Sequence, residues 1–169
     1  MIVIDLETSG IDPTQHGILS LGAVDYDNGE TFYGECRLGS HQTFTEEALR
    51  INGFTVEEIT DITKQSSVQL YQKFLKWCEG RKKMLGGHNV GSFDLQFLLK
   101  VHSKQRKIKS FPFHYRTIDL HSIAYCKYKE SLSLSKVCQY LGIEPEPKIH
   151  NALTGASKTC ECLKLLINA

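Results

Sequence analysis

The chain has 169 residues, of which 41% are hydrophobic and 23% are charged, values that suit a single folded domain over residues 1–169. Twenty lysines and arginines nearly balance 19 aspartates and glutamates, so the net charge of +1 excludes a globally basic nucleic-acid coat but allows a local basic patch. No apolar run reaches the roughly 18 residues of a membrane span, and the acidic N-terminal sequence MIVIDLETSG is unlike a secretion signal. We therefore expect a cytoplasmic protein with no membrane partner.

The order of predicted elements favours an α/β sandwich. Strands are predicted over residues 2–4, 18–26 and 31–37, and Asn28-Gly29 is a typical hairpin turn between the last two. In chain order the remaining elements are predicted as a helix over 45–49, a helix capped by Thr55, a helix over 67–79, a strand over 83–87, a helix over 93–101, a strand over 116–120 followed by a helix through 125, and helices over 132–141 and 152–167. This order predicts a mixed sheet.

Two carboxylates follow the first predicted strand. Asp5 and Glu7 are residues i and i+2, so on a strand their side chains point to the same face. Two like charges this close are costly unless a cation lies between them, and carboxylate oxygens suit Mg²⁺ or Mn²⁺. The pair indicates a metal site, although a solvated loop would also fit the sequence.

Two further polar segments precede predicted helices. Asp94 lies at the start of an apolar helix, where it is either a site residue or an ordinary N-cap. His150 follows a loop with two prolines and precedes the last helix, where a histidine acts as a general base or caps backbone groups. Each segment alone leaves both alternatives open.

Taken together and in this order, the three segments resemble the DnaQ-like 3′–5′ exonucleases of the DEDDh group. The segments are DLETSG, HNVGSFDLQFL and HNALTGA, and the resemblance covers essentially the whole chain. Two lesser stretches are similar as well, INGFT at 51–55 and TIDL at 117–120. The resemblance implies an RNase H-like fold, with a mixed central sheet of antiparallel and parallel strands flanked by helices.

The resemblance also implies an activity, cofactors and site residues. It implies two divalent metal ions, Mg²⁺ or Mn²⁺, and hydrolysis from the 3′ end of DNA or RNA with release of nucleoside 5′-monophosphates. Single strands are favoured as partners, because a terminal phosphodiester must enter a pocket. By position, Asp5, Glu7 and Asp94 are the expected metal ligands, Asp119 is a candidate further ligand and His150 is the expected general base. The expected substrate contacts are Thr8, Ser9, Asn52, Asn89 and Phe93.

The sequence departs from the family pattern at two points. His88 to Asp94 is six steps where the family usually has five, so a one-residue bulge is expected. The family's fourth carboxylate lies five residues after the histidine, and that residue is Gly155, which has no side chain to offer a metal. Gly155→Asp is therefore expected to tighten metal binding at little cost to the fold.

Several replacements for the missing carboxylate are open. A nearby acid is one candidate. Glu161 is the only acid on the last helix, but it lies about 240° around the helix axis from residue 155 and therefore faces away from the site. Thr159 lies one turn beyond residue 155 and shares its face of the helix, but a threonine hydroxyl is a poor metal ligand. Asp119 is either a metal ligand from another strand or the cap of a helix. A water molecule is a further candidate. If nothing replaces the carboxylate, the protein is a silent or weakened module that binds nucleic-acid ends, which is the main alternative to an exonuclease. A proofreading subunit of a polymerase is a third interpretation.

Two basic stretches of the chain are candidates for contact with a phosphate backbone. They are residues 81–83 and the basic residues within 104–109. Surface lysines between helices are also commonly just solvated, so both interpretations are kept.

Overall fold

The computed structural model describes residues 1–105 and 110–167. Its elements are β1 (Ile2–Thr8), β2 (Ile18–Asp25), β3 (Thr31–Glu35), α1 (Glu46–Asn52), α2 (Val56–Thr60), α3 (Ser67–Trp77), β4 (Leu85–Gly87), α4 (Asp94–Ser103), β5 (Thr117–Asp119), α5 (Leu120–Tyr128), α6 (Leu134–Tyr140) and α7 (Ala152–Ile167). This is the predicted order of strands and helices. Within the described ranges, no helix has the length and apolar character needed to cross a membrane.

The five strands form one mixed sheet in the order β3-β2-β1-β4-β5. The pairs β1–β2 and β2–β3 are antiparallel, whereas β1–β4 and β4–β5 are parallel. The predicted RNase H-like α/β fold is thereby confirmed. Because β1 is central and parallel to β4, the chain leaves both strands at the same edge of the sheet, where functional sites of α/β proteins lie.

Helices cover both faces of the sheet, and the alternation along β1 divides its side chains between two cores. Ile2 and Ile4 pack in the core that includes Phe74 of α3 and Leu98 of α4. Val3 packs in the opposite core, with residues of α5, α6 and α7. Since side chains at i and i+2 share a face, the strand directs Asp5 and Glu7 toward the face on which α7 lies.

Helix boundaries differ from the predictions by up to three residues, and two of these differences have local reasons. The helix predicted from residue 132 begins at Leu134, because the side chain of Ser133 caps it by accepting a hydrogen bond from the Lys136 N–H at 3.4 Å. The helix predicted from residue 93 begins at Asp94, because the backbone of Phe93 is irregular.

The first turn of α7 lies directly against β2. A Cβ atom at Gly22 would lie 2.2 Å from the carbonyl carbon of Ala152, so only glycine allows this approach of the two backbones. Asn151 caps the helix, its Oδ1 accepting from the N–H groups of Leu153 at 3.0 Å and Thr154 at 3.3 Å. Tight contact and capping together determine where the residues just before α7 lie.

Candidate active site

A cavity of about 810 Å³ opens at the edge of the sheet where β1 and β4 end. Seven of the ten predicted site residues line this cavity, namely Asp5, Glu7, Thr8, Asn52, Asn89, Phe93 and His150. They come from β1, from the end of α1, from the segment between β4 and α4, and from the loop before α7. Residues far apart in sequence are thus brought to one cavity, as the three ordered motifs predict.

Asp94 lies behind the cavity wall, at the start of α4. Its side chain is only 2% exposed, and its Oδ1 has no hydrogen-bond partner within the described part of the chain. A buried carboxylate oxygen without a donor is costly, so such an atom is a sign of a cation or water that belongs beside it. The N-cap position of α4 is Phe93, so the ordinary alternative considered above, that Asp94 is the N-cap, is wrong.

The extra step between His88 and Asp94 is absorbed by an irregular turn. Asn89 has a left-handed backbone with φ of 60°, and its carbonyl accepts from the N–H groups of Ser92 at 3.1 Å and Phe93 at 3.0 Å. Asparagine is one of the few residues that tolerate this conformation. The turn lets Asp94 begin α4 beside β1, despite the longer spacing.

The carboxyl groups of the site repel one another in a poorly solvated environment. Burial raises the pKa of Asp5 well above its usual value, and the charges of Asp94, Glu7 and Glu146 raise it further. Burial, with the charges of Glu146 and Asp94, raises the pKa of Glu7 to about 8. Burial also raises the pKa of Asp94 to about 7, against the opposing effect of hydrogen bonds from its own and the Leu6 backbone.

Glu7→Gln is expected to stabilise the metal-free protein at pH 8 but not near pH 4. The pKa of Glu7 is about 8 in the folded protein and 4.5 ordinarily, so the proton it retains on folding contributes stability at low pH. That contribution is lost as the pH rises through about 8. The neutral amide avoids the loss, and thermal unfolding of both proteins in EDTA across this range measures the difference.

His88, whose pKa is lowered by burial, contributes with the opposite sign, but it is common to both proteins and cancels in the comparison. Glu144→Gln, an exposed change, is the matched control and should shift the melting temperature little at any pH. A Glu7→Gln protein whose melting temperature tracks the wild type from pH 4 to pH 8 would contradict the expected repulsion.

The loop before α7 contributes an acid that the motifs did not select. Glu146 lines the cavity, and burial raises the pKa of its carboxyl group, opposed by the charges of His150 and Lys158. A Cβ atom at Gly155 would lie 2.4 Å from Oδ2 of Asp5 and 3.0 Å from Oε1 of Glu146. A side chain at residue 155 therefore requires the carboxyl groups of Asp5 and Glu146 to move aside, which the sequence-based expectation for Gly155→Asp did not include.

Glu146 was missed because it lies outside the periodic elements, four residues before His150. The one signal in the sequence is its position between Pro145 and Pro147, which restrict the backbone on both sides.

The other residues considered from the sequence as replacements for the fourth carboxylate are placed differently. The side chain of Glu161 is exposed, with Oε2 3.8 Å from Nζ of Lys158, which agrees with the prediction that it faces away from the site. Thr159 is fully buried.

The segment after β1 is held by its own side chains. Ser9 is fully buried, and its hydroxyl donates to the Thr43 carbonyl at 2.7 Å and accepts from the Gly17 N–H at 3.0 Å. The structure therefore does not bring Ser9 into the cavity, where it was expected to contact substrate. Asn52 donates to the carbonyl of Thr8 at 3.1 Å, so it supports the cavity wall from behind.

Asp119 lies at the end of β5 and caps α5. Its Oδ1 accepts from the N–H of His121 at 2.9 Å and the N–H of Asn89 at 3.2 Å. This is the capping alternative considered from the sequence, and Asp119 does not line the cavity.

Two histidines that were not predicted as site residues also line the cavity. They are His88 and His121, and the centroids of their rings are 5.8 Å apart.

The first basic stretch is engaged with acids of its own chain. Arg81 Nε lies 3.3 Å from Asp25, and Lys82 Nζ lies 2.9 Å from Asp27. In the second stretch, residues 106–109 lie outside the described residues. Residues 81–83 and the described part of the second stretch do not line the cavity described above.

The donor set of the cavity suits a hard divalent cation. Asp5, Glu7 and Asp94 offer carboxylate oxygens, and Oδ1 of Asp94 has no hydrogen-bond partner among the described residues. Across residues 1–105 and 110–167, no three His, Cys, Asp or Glu side chains are already gathered in a coordinating arrangement. The carboxylates beside the cavity fit a metal in kind, and the negative charges of Asp94, Glu7 and Glu146 that raise the pKa of Asp5 are ones that a cation would offset.

The sequence matches a known family over nearly its whole length. The family described as Exonuclease (RNase_T) matches residues 2–163. Ribonuclease T of Vibrio vulnificus is 25% identical over 189 residues, covering 99% of this chain and 83% of the relative. The PolC-type DNA polymerase III of Clostridium perfringens is 28% identical over 169 residues, covering 96% of this chain and 11% of that protein.

Solved structures of Escherichia coli Exonuclease I share the fold. Its complex with a 5cy-dT13 oligonucleotide aligns with a TM-score of 0.79 at 18% identity, covering 99% of this chain and 40% of that one. A product-bound Exonuclease I structure aligns with a TM-score of 0.77 at 17% identity, covering 99% and 43%. The chain thus spans less than half the length of these structural relatives.

Proposed function

Because the chain belongs to the Exonuclease family of DnaQ-like 3′–5′ nucleases, we propose that it shortens single-stranded DNA or RNA from the 3′ end in a reaction that requires divalent metal ions. The observation that carries the proposal is the cluster of Asp5, Glu7 and buried Asp94, with its partnerless oxygen, beside a cavity that His150 also lines. Acids and a histidine converging in one cavity are what phosphodiester hydrolysis needs.

His150 is well situated to take the proton of the attacking water. Its backbone N–H donates to the carbonyl of Ile51 at 3.0 Å, and the capped α7 follows it directly, so the backbone of His150 is fixed beside the cavity that this residue lines. As water attacks the terminal phosphorus, its proton passes to an imidazole nitrogen and the bond from phosphorus to the 3′ oxygen breaks. The 3′ oxygen takes up a proton, so the products are a nucleoside 5′-monophosphate and a chain with a new 3′ hydroxyl.

Asp5, Glu7 and Asp94 are the proposed ligands of the metal ions. When bound, two divalent cations supply positive charge for the phosphate oxygens and lower the pKa of a water molecule. The carboxylates neutralise and locate that charge, and cation binding would relieve the repulsion that raises their pKa values.

A single strand is the proposed substrate. The cavity lies at the open edge of the sheet, and Phe93 on its wall presents an aromatic ring against which a base can stack. Oligonucleotides are bound in structures of Exonuclease I, whose fold this chain shares. Thr8 and Asn89 line the same cavity and are proposed to contact the terminal nucleotide.

The full reaction is tested with single-stranded DNA and RNA carrying a label at either end. With Mg²⁺ or Mn²⁺, a 5′ label should give a ladder of shortened chains, and a 3′ label should be released at once as a mononucleotide. EDTA should stop both, since the carboxylates cannot replace the metal charge.

Two outcomes would contradict the proposal in different ways. Cleavage that persists in EDTA would remove the metal ions from the mechanism. A protein that binds 3′ ends but cleaves nothing with either metal would be the silent end-binding module that Gly155 suggests from sequence.

A further inference from the structure

We propose that Glu146 is the fourth carboxylate of the metal site, contributed by the loop before His150 instead of by the helix position at which Gly155 lies. The inference deepens the proposed function and rests on it, since it concerns ligands of the same metal ions. It also explains why residue 155 is a glycine.

Two carboxyl groups converge on the space beside Gly155. The Cβ position of Gly155 lies 2.4 Å from Oδ2 of Asp5 and 3.0 Å from Oε1 of Glu146. Oxygens of both carboxylates therefore meet at the point from which a side chain on α7 would begin. A glutamate can reach this point from the loop, and a side chain at residue 155 would displace it.

Asp94 provides an independent observation. This residue is 2% exposed, yet its Oδ1 has no hydrogen-bond partner among the described residues, so there is a place beside it for a cation or a water. Glu146 forms none of the ion pairs found within residues 1–105 and 110–167, so Lys158, whose charge acts on it, makes no direct contact with it. A metal ion would give both carboxylates a direct positive partner.

The charges of the proposed ligands and of two divalent cations balance only when Glu146 is included. Asp5, Glu7 and Asp94 carry three negative charges when ionised, one fewer than the four positive charges of two divalent cations. Glu146 supplies the fourth. Pro145 and Pro147 fix φ on either side of it, which reduces the entropy lost when the loop is ordered around the metal.

The test is Mn²⁺ binding, measured by calorimetry on the whole protein without nucleic acid. Glu146→Gln keeps the shape of the side chain but removes its charge, and should weaken binding of at least one Mn²⁺ by about tenfold or more, the lower end of losses seen for outer-sphere groups. Glu144→Gln, two residues earlier and exposed, is the matched control and should bind like the wild type. Thermal unfolding in EDTA shows that each variant is folded.

Gly155→Asp gives a second and opposite test. If Glu146 fills the fourth position, the added side chain crowds Asp5 and Glu146 and weakens Mn²⁺ binding. If the position lacks a carboxylate, the same substitution tightens binding, which would overturn the proposal. If the Gly155→Asp variant does not fold, Mn²⁺ binding by the Glu146→Gln variant still decides whether Glu146 is a ligand.

Failure of this inference is distinct from failure of the nuclease proposal. A wild type that cleaves 3′ ends, with a Glu146→Gln variant that binds Mn²⁺ normally, would overturn the role of Glu146 alone. A wild type that binds Mn²⁺ through Glu146 but cleaves nothing would support the inference and refute the nuclease activity.

Discussion

Asp94→Asn is expected to reduce exonuclease turnover by roughly 10³-fold or more, because a carboxylate that holds metal charge supports several kcal/mol of transition-state stabilisation. The amide has the same shape, so the start of α4 and the turn that precedes it should be preserved. The partnerless Oδ1 of Asp94 makes this residue the most exacting test of the metal site. Turnover on 5′-labelled single strands with saturating Mn²⁺ measures the loss.

The same substitution should make the metal-free protein more stable at pH 8. Burial raises the pKa of Asp94 to about 7 from an ordinary 3.8, so above that pH the folded protein holds a buried charge that the amide lacks. Lower activity together with higher stability is the signature of a functional buried charge. Asp61→Asn, a change at a partly buried residue that does not line the cavity, is the control and should alter turnover little. An Asp94→Asn enzyme with wild-type turnover would remove this residue from the site.

His150→Ala is expected to reduce turnover by roughly 10²–10⁴-fold, the usual worth of a positioned general base. Binding of a single strand should persist, since the carboxylates, Phe93 and the metal ions stay in place. Added imidazole should restore part of the rate, because the truncated side chain leaves space at the rim of the cavity. His41→Ala is the matched control, since His41 is exposed and does not line the cavity.

Loss of both binding and turnover in His150→Ala would indicate that the histidine holds the loop together instead of moving a proton. The backbone contact from His150 to the Ile51 carbonyl does not depend on the side chain, so the loop should keep its place in the variant. Unchanged turnover would exclude His150 as the base.

Most of the fold was predictable because its elements carry periodic apolar residues. The three antiparallel strands and α7 follow from the pattern of the sequence, and the common face of Asp5 and Glu7 follows from strand alternation. Convergence on one cavity follows from the order of the motifs and their resemblance to a family. The ligand and base roles of these residues stay predictions, which the variants above test.

The parts that were not predictable depend on tertiary contacts. Glu146 lies in a loop without periodicity, and its approach to Asp5 exists only once that loop is folded over the sheet. The burial of Ser9 likewise depends on the carbonyl of Thr43, far along the chain. Sequence position indicated that a carboxylate was missing at residue 155, whereas the folded chain brings one there from elsewhere.

The contact of Gly22 with Ala152 bears on when the residues of the site come together as the chain folds. Asp5 and Glu7 belong to the part of the chain that is synthesised first, whereas His150 reaches the cavity only when α7 settles on β2. This long-range docking is the kind of step that occurs late in folding. If His150 is the base, as proposed, a nascent or partly unfolded chain would hold the acids without the base and could not degrade nucleic acid until folding was complete.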